Sequence, residues 1–564
     1  MTTRTRFALS SALTLAAGAA CYGLDLDCLR GTFGFALEST DVTGLADVAF
    51  ASGGDLNADG FADFVVSSGA HDSVYVIFGE DGIAPSGRVM LADLDGSNGF
   101  VINGVAGSET GESVSSAGDV NGDGVADLLV SAWNTNQMGV PGAGACYVIF
   151  GGATLGAGGS LDLASLNGAN GFVVHGSSDY HHIGTEVSIV DDLNGDAHSE
   201  IVVAASFGDP GGRADAGQTY VLFGGVGVGA GGAIDVSTLN GTNGFVINGV
   251  NSADESGESL ASVGDVNDDG VSDLLIGASL ADPNGESSGG ETYVIFGTPG
   301  IGASGAVELA ALDGTDGFVL LGEAAGDRSG SALAAAGDVN NDGVADLLIG
   351  APQADSASDP RAGRCYVVFG GNAIGSGGSV ELAGLDGTNG FTVSGEGAQN
   401  RLGKSVAAGD FNGDGVSDIA LGAVGSRPGG LFDAGATYVL YGQPGLGSGG
   451  AVDLGTLESA DGFRINGVEA DKKSGWALSS LGDVNGDGYG DLAVGLTPAD
   501  EAYVVYGGDV NSQYAAGDLD RSGCVNSADL ASILAGWGSI AADVNDDGVT
   551  DATDLAIVLA SWTN

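Results

Sequence analysis

Asp265-Val-Asn267-Asp-Asp269-Gly270-Val-Ser-Asp273 puts oxygen side chains at positions 1, 3, 5 and 9 of a short loop, with glycine at position 6. A hard divalent cation such as Ca2+ takes roughly six to eight oxygen ligands, and glycine at position 6 allows the sharp turn that closes such a loop. The stretch recurs seven times, starting at Asp55, Asp119, Asp192, Asp265, Asp338, Asp410 and Asp483, in steps of 64, 73, 73, 73, 72 and 73 residues. One copy would be a weak motif, but seven in register make the repeat the organising feature of the chain.

The candidate metal ligands follow from this alignment. They are Asp55, Asn57, Asp59 and Asp63; Asp119, Asn121, Asp123 and Asp127; Asp192, Asn194 and Asp196; Asp265, Asn267, Asp269 and Asp273. The last three loops add Asp338, Asn340, Asp342 and Asp346; Asp410, Asn412, Asp414 and Asp418; and Asp483, Asn485, Asp487 and Asp491. The third loop lacks the position-6 glycine, having Ala197, and carries Glu200 at position 9, so a weaker or empty site is expected there. The same repeat holds His175, His181, His182 and His198, which read as surface residues because no cysteine joins them.

Two other landmarks keep step with the loops. A Gly-Phe pair precedes each, with Phe at 35, 100, 172, 245, 318, 391 and 463, and a Tyr-Val-Ile-Phe-like run follows, with Tyr at 75, 147, 220, 293, 366, 438 and 503. The runs between turns are short, β-branched or aromatic, and bounded by Gly, Asp and Asn. Each unit therefore reads as four short strands, the signature of a propeller blade. The expected fold is all-β, a seven-bladed propeller of four-stranded blades over 21–508. No Gly-Phe strand follows the last Tyr run, and the first precedes any Asp loop. Residues 24–38 should therefore complete the seventh blade, with 34–38 pairing with 503–507 and removing an open sheet edge. The Asp-to-Tyr spacing is 28 in blades 2 to 6 but 20 in blades 1 and 7, which predicts a rim of five longer loops on one face.

These motifs resemble the FG-GAP repeats of the integrin α-subunit family. The resemblance rests on Phe318/Gly322, on Asp338-Val-Asn340-Asn-Asp342-Gly343-Val-Ala-Asp346-Leu-Leu-Ile-Gly350-Ala351-Pro352, and on Tyr366-Val-Val-Phe369-Gly370. It covers about 24–508. It implies a seven-bladed propeller whose acidic loops join the first two strands of each blade and hold Ca2+.

With 74 Asp and Glu against 15 Lys and Arg, the formal charge is −59, which makes the chain a poor partner for nucleic acid or anionic membranes. Residues 1–20 read as an export signal, with Arg4 and Arg6 ahead of an apolar core and small residues before Cys21. Cys21 is a candidate either for lipid attachment or for a disulfide with Cys28. Cys146 and Cys365 fall in non-adjacent blades and are expected to be buried thiols. No later stretch is long and apolar enough to span a bilayer.

The pattern changes at 509–516, read as a linker, and a different module occupies 517–564. Two loops there carry oxygens at positions 1, 3, 5, 9 and 12 with glycine at 6: Asp518, Asp520, Ser522, Asn526 and Asp529, then Asp543, Asn545, Asp547, Asp551 and Asp554. Each is followed by an apolar series at helical spacing, Leu530-Ile533-Leu534-Trp537 and Leu555-Val558-Leu559-Trp562. This small all-α module resembles the dockerin type I family. The resemblance implies two Ca2+ loop–helix repeats and a cohesin-like partner, met through Ser527-Ala528 and Ala552-Thr553.

No nucleophile elbow, His-Glu-x-x-His or phosphate loop is present, and the carboxylates are mostly committed to the repeats. The expected function is a secreted, calcium-stabilised binding or adhesion protein that is not an enzyme. Its propeller would present a surface to an extracellular protein or glycan, and its C-terminal module would dock to another component. A glycan-active enzyme and a purely structural surface component are the alternatives.

Overall fold

The computed structural model describes residues 23–29, 33–39, 45, 48–356, 359–457, 460–498 and 501–508, and near the C-terminus 518, 522, 525, 527–537, 544, 550 and 552–561. The expected export signal (1–20), the linker (509–516) and Cys21 lie outside these residues.

Seven sheets stand around one axis. Blade 4 is representative. Ser259–Ser262 runs antiparallel to Leu274–Ala278, then Glu291–Ile295, then Gly317–Leu321. The first strands of successive blades touch one another in closed ring order, and that of blade 7 (Leu478–Gly482) meets that of blade 1 (Val48–Gly54). Small residues such as Ser259, Ala261 and Ser262 suit this crowded inner position. The core lies between the blades as seven apolar wedges. The wedge between blades 3 and 4 joins Val202, Val221 and Phe245 to Leu274, Ile276 and Ile295.

The blades have five strands, not the four expected. In every repeat, a three-residue strand in the link between the third and fourth strands crosses to the blade before it. Ala306–Glu308, from the blade 4 link, pairs in parallel with Val246, Ile247 and Asn248 of blade 3. The sequence hides this strand because it is short, half exposed and paired with a different repeat.

Closure involves both N-terminal strands. Gly34–Glu38 pairs antiparallel with Glu501–Val505 and becomes the fourth strand of blade 7, as expected, in a register centred two residues earlier. Gly23–Asp25 pairs in parallel with Arg464, Ile465 and Asn466 and becomes the outer strand of blade 6. Asn466 Nδ2 donates to Asp25 Oδ1 at 2.9 Å, and Arg88 and Glu38 form an ion pair across the neighbouring blade edge.

The Gly-Phe pairs have a steric basis. Gly244 has φ +136, and a Cβ there would stand 2.2 Å from the Val221 carbonyl oxygen. The following Phe245 is fully buried, and Gly302 of the glycine-rich link lies over its ring. A Cβ on Gly302 would come within 2.1 Å of that ring. The link is therefore glycine-rich because its backbone packs directly on an aromatic face.

Cys146 and Cys365 are buried free thiols, as expected, and Cys28 is disulfide-bonded. Two C-terminal helices, Ser527–Gly536 and Ala552–Ala560, bury Ile533 and Val558 with Val525, while Leu534, Trp537 and Leu559 stay exposed. The Asp25 N–H donates to the Ser522 carbonyl at 2.9 Å, linking this region to the outer edge of blade 6. Among the described residues no helix is long and apolar enough to cross a membrane.

Candidate metal centres

Each Asp loop joins the first two strands of its blade, so antiparallel alternation puts all seven on one face. The position-1 carboxylate organises the loop. Its Oδ1 accepts from the position-5 N–H at 2.8–3.1 Å, as in Asp55 with Asp59 and Asp265 with Asp269. Its Oδ2 accepts from the position-6 N–H at 2.6–2.9 Å. Position 6 is left-handed in all seven loops, including Ala197 at φ 71. That is an uncomfortable conformation for a side chain and explains why the other six use glycine.

The position-9 aspartates play a different part. Asp63, Asp127, Asp273, Asp346, Asp418 and Asp491 are fully buried. One oxygen accepts from the position-2 N–H at 2.8–3.1 Å. The other accepts from a glycine N–H just after the third strand at 2.8–3.0 Å. The carboxylate thus clips its loop to the third strand. Burial pushes all six carboxyls up to about 7, opposed by the backbone N–H groups and reinforced by neighbouring loop carboxylates.

This geometry fits a hard cation. The converging groups are carboxylate and amide oxygens, and the Asn57 Oδ1 is buried without a hydrogen-bond donor among the described residues. A cation would satisfy that oxygen and offset the carboxylates crowded beside it.

Blade 3 is built differently from the other six loops. The loop expected to be weakest is where Asp192, Asp196 and Glu200 bring carboxylate oxygens within 4.8 Å of one another. Glu200 was not among the expected ligands. Its longer side chain reaches into the loop, accepting from the Leu193 N–H at 2.6 Å and from Asn194 Nδ2 at 2.8 Å. Burial and the nearby Asp196, Asp192 and Asp191 carboxylates push it up to about 8, against the Leu193 hydrogen bond. Position 9 was the available signal, since Glu200 keeps both the carboxylate and the register.

In the C-terminal region, the Ser522 N–H donates to Asp518 Oδ1 at 3.0 Å, the same position-5 to position-1 bond as in the propeller. The Val544 N–H donates to Asp554 Oδ1 at 2.7 Å, so position 12 there takes the clip role of position 9. Asp529 and Asp554 are fully buried. Asp520, Asn526, Asp543, Asn545, Asp547 and Asp551 lie outside the described residues.

The opposite face carries the five longer loops, 133–144, 207–217, 281–290, 352–363 (described at 352–356 and 359–363) and 424–435, against the short connection 69–72 in blade 1. His175, which ends the fourth strand of blade 2, and His181 and His182, on the connection to blade 3, sit on this rim face or beside it rather than at the Asp loops. His182 packs among Trp133, Tyr180 and Phe207, with ring centroids 5.1, 6.1 and 5.9 Å away. His198 alone joins the Asp loop, 3.1 Å from Asp196 Oδ1.

Comparison with known proteins agrees with this architecture. The FG-GAP repeat family matches residues 110–149, 184–222, 256–295, 329–368 and 402–440, which are the first three strands of blades 2 to 6. A stretch of 170 residues is 36% identical to phosphatidylinositol-glycan-specific phospholipase D of Bos taurus, covering 30% of this chain and 18% of that protein. A stretch of 252 residues is 31% identical to integrin alpha-5 of Xenopus laevis, covering 43% of this chain and 20% of that protein. Integrin alpha-PS2 of Drosophila melanogaster is 32% identical over 166 residues, covering 28% of this chain and 10% of that protein. The matched regions span a fifth or less of the length of these curated relatives. The chain thus carries FG-GAP repeats, and they fold as a seven-bladed β-propeller.

Proposed function

We propose that this is a secreted, Ca2+-stabilised binding or adhesion protein whose rim face recognises an extracellular protein or glycan. The observation that carries the reading is the aromatic cluster that Trp133 and Phe207 of the longer loops of blades 2 and 3 form with Tyr180 and His182 of the connection between these blades. Tyr180 is 63% exposed and Phe207 37% exposed, and both gather with Trp133 around His182; Met138, in the same loop as Trp133, is also exposed. Exposed aromatic groups held on a rigid scaffold are typical of recognition surfaces. The similarity to integrin alpha chains supports an extracellular setting. Calcium in the Asp loops would stabilise the blades from the opposite face, leaving the rim free.

The C-terminal region extends the reading. Leu534, Trp537 and Leu559 expose apolar surface beside loops built like Ca2+ loops, which supports docking of a dockerin-like module to a cohesin-like component. The test is capture by the full chain from polysaccharide and protein arrays in calcium, alongside Tyr180→Ala/Phe207→Ala. The reading expects a partner that the double variant loses without a change in melting temperature. Equal capture by both proteins would refute the rim face as the binding surface.

One observation favours the enzyme reading as the second choice. Glu186 stands near Glu112 and Glu258 at the rim-face mouth of the axis, and removal from water pushes its carboxyl up to about 8, with those two carboxylates adding to the shift and Ser113 opposing it. A carboxyl raised in this way beside other carboxyl groups is an arrangement used in glycoside hydrolysis. Release of reducing ends from a bound polysaccharide, lost in Glu186→Gln, would replace the binding reading with this one.

A further inference from the structure

The rim face is electrically divided. Where the chain enters blades 2 to 7, one residue adopts the same left-handed conformation, φ 50–56°, just ahead of the first strand. In blades 2 to 4 that residue is Glu109, His182 and Glu255; in blades 5 to 7 it is Arg328, Arg401 and Lys473. Three residues further on, Glu112, Thr185 and Glu258 give way to Ser331, Lys404 and Trp476. A chain with 15 Lys and Arg against 74 Asp and Glu therefore gathers cations on one half of one face.

Arg328, Arg401 and Lys404, joined by Arg361, line a cavity of about 370 Å3 together with Ser331, Trp476 and Glu258. Among the described residues, none of the four cations forms an ion pair within 4.0 Å. Lys404 stands over the Trp476 ring at 4.5 Å, and Lys473 lies 5.5 Å from the same ring. The Ser331 hydroxyl is buried in the wall without a hydrogen-bond partner. Burial pulls the Lys404 ammonium below the usual lysine value, with Glu258 opposing the shift. Four cations share this hollow with the single lining carboxylate of Glu258, and that excess of positive charge is poised for an anion.

We propose that this pocket binds the anionic group of a saccharide, either a uronate carboxylate or a sugar sulfate. The inference rests on the reading of the rim face as the binding surface and gives its ligand a chemistry. Guanidinium groups match the oxygen geometry of carboxylate and sulfate, and an ammonium adds a point charge. A tryptophan beside a free hydroxyl suits a sugar ring, whose faces are C–H and whose edges are O–H. The cavity is at the small end of ligand pockets, roughly 300–1,000 Å3, so it takes a short unit. The overall charge of −59 opposes a long polyanion, whereas a short ligand feels mainly the charges within a Debye length of about 8 Å.

The test uses the full chain in calcium, with calorimetric titration of digalacturonate, a sulfated chondroitin disaccharide, cellobiose and tetraglutamate. One or both of the anionic sugars should bind, which tells carboxylate from sulfate, while cellobiose and tetraglutamate should not. Arg328→Gln and Arg401→Gln should each weaken binding about 10- to 100-fold, whereas Arg88→Gln, on the outer edge of blade 7, should leave it unchanged. Melting curves of the variants establish that they fold. Lys404→Gln, in the pocket lining, provides an independent third variant. No binding of either anionic sugar, equal binding of tetraglutamate, or affinity indifferent to all three variants would overturn the proposal. If the sugars fail while the array partner still depends on Tyr180 and Phe207, only this inference falls; if both fail, the rim-face reading falls with it.

Discussion

Replacing Asp273 with alanine separates the two jobs of an Asp loop. Asp273 accepts from the Val266 N–H at 2.9 Å and the Gly297 N–H at 2.8 Å, all in the buried interior. The variant leaves both donors unsatisfied, at about 1–3 kcal/mol each, or about 2–6 kcal/mol together. At roughly 2.1 cal/mol/K of unfolding entropy per residue, a unit the size of this propeller unfolds with about 1 kcal/mol/K, so the melting temperature should fall by about 2–6 °C. This loss should appear in chelator, because it does not depend on a metal. Asp269→Ala removes an acceptor for the exposed Val271 N–H, which water replaces, so in chelator it should cost less than about 0.5 kcal/mol. In calcium both variants should lose stability. The pH dependence provides a second check. Asp273 is pushed up to about 7, above its ordinary value of 3.8, so the fold holds a proton that the unfolded chain releases. That contribution is complete below about pH 4 and disappears as pH rises through 7. The deficit of Asp273→Ala in chelator should therefore be larger at pH 5 than at pH 8. The assay is thermal unfolding followed by circular dichroism in calcium and in chelator. Equal effects of Asp269→Ala and Asp273→Ala in chelator, or no effect of Asp273→Ala there, would refute the division of roles.

The same titration should show in the parent protein. With six position-9 aspartates near 7 and Glu200 near 8, the metal-free protein should lose melting temperature between pH 5 and 8, and saturating calcium should flatten the slope; identical slopes would show that calcium does not enter these loops. Gly302→Ala should cost about 1–3 kcal/mol in urea denaturation, because its Cβ would meet the Phe245 ring at 2.1 Å, whereas Gly300→Ala, with nothing within 4 Å, should cost only its left-handed strain. Phe35→Ala, which empties a fully buried site in the closing strand, should cost about 3–5 kcal/mol and make residues 34–38 and 501–505 exchange amide hydrogens faster than the middle of blade 4.

Much of this architecture is legible in the sequence because the repeat multiplies weak signals. The seven Asp loops, the seven Gly-Phe pairs and the lack of a Gly-Phe strand after the last Tyr run are enough to place the closure at 34–38. Other features depend on relations between repeats. Ala306–Glu308 reads as ordinary linker until Asn248 and its neighbours in another blade are brought alongside. Gly302 looks like flexible chain until Phe245 fixes what lies beneath it. Glu200 looks like a defect because glycine is missing at Ala197, yet its extra methylene carries the carboxylate into the loop. The charge division of the rim is invisible along the chain, since Arg328, Arg361, Arg401 and Lys404 become neighbours only when blades 5 and 6 stand side by side.

The borrowed outer strands also set an order of assembly. Each blade is finished only by a segment belonging to its successor, so a growing chain leaves every new blade one strand short until more has been made. Blade 6 and blade 7 reverse this dependence, since the strands that finish them, Gly23–Asp25 and Gly34–Glu38, are made before everything they join. Those two strands must stay unpaired through synthesis of the whole ring. Pairings between such distant segments are slow to form, and once formed they connect the ends of the chain into a circle with no blade free to unfold first.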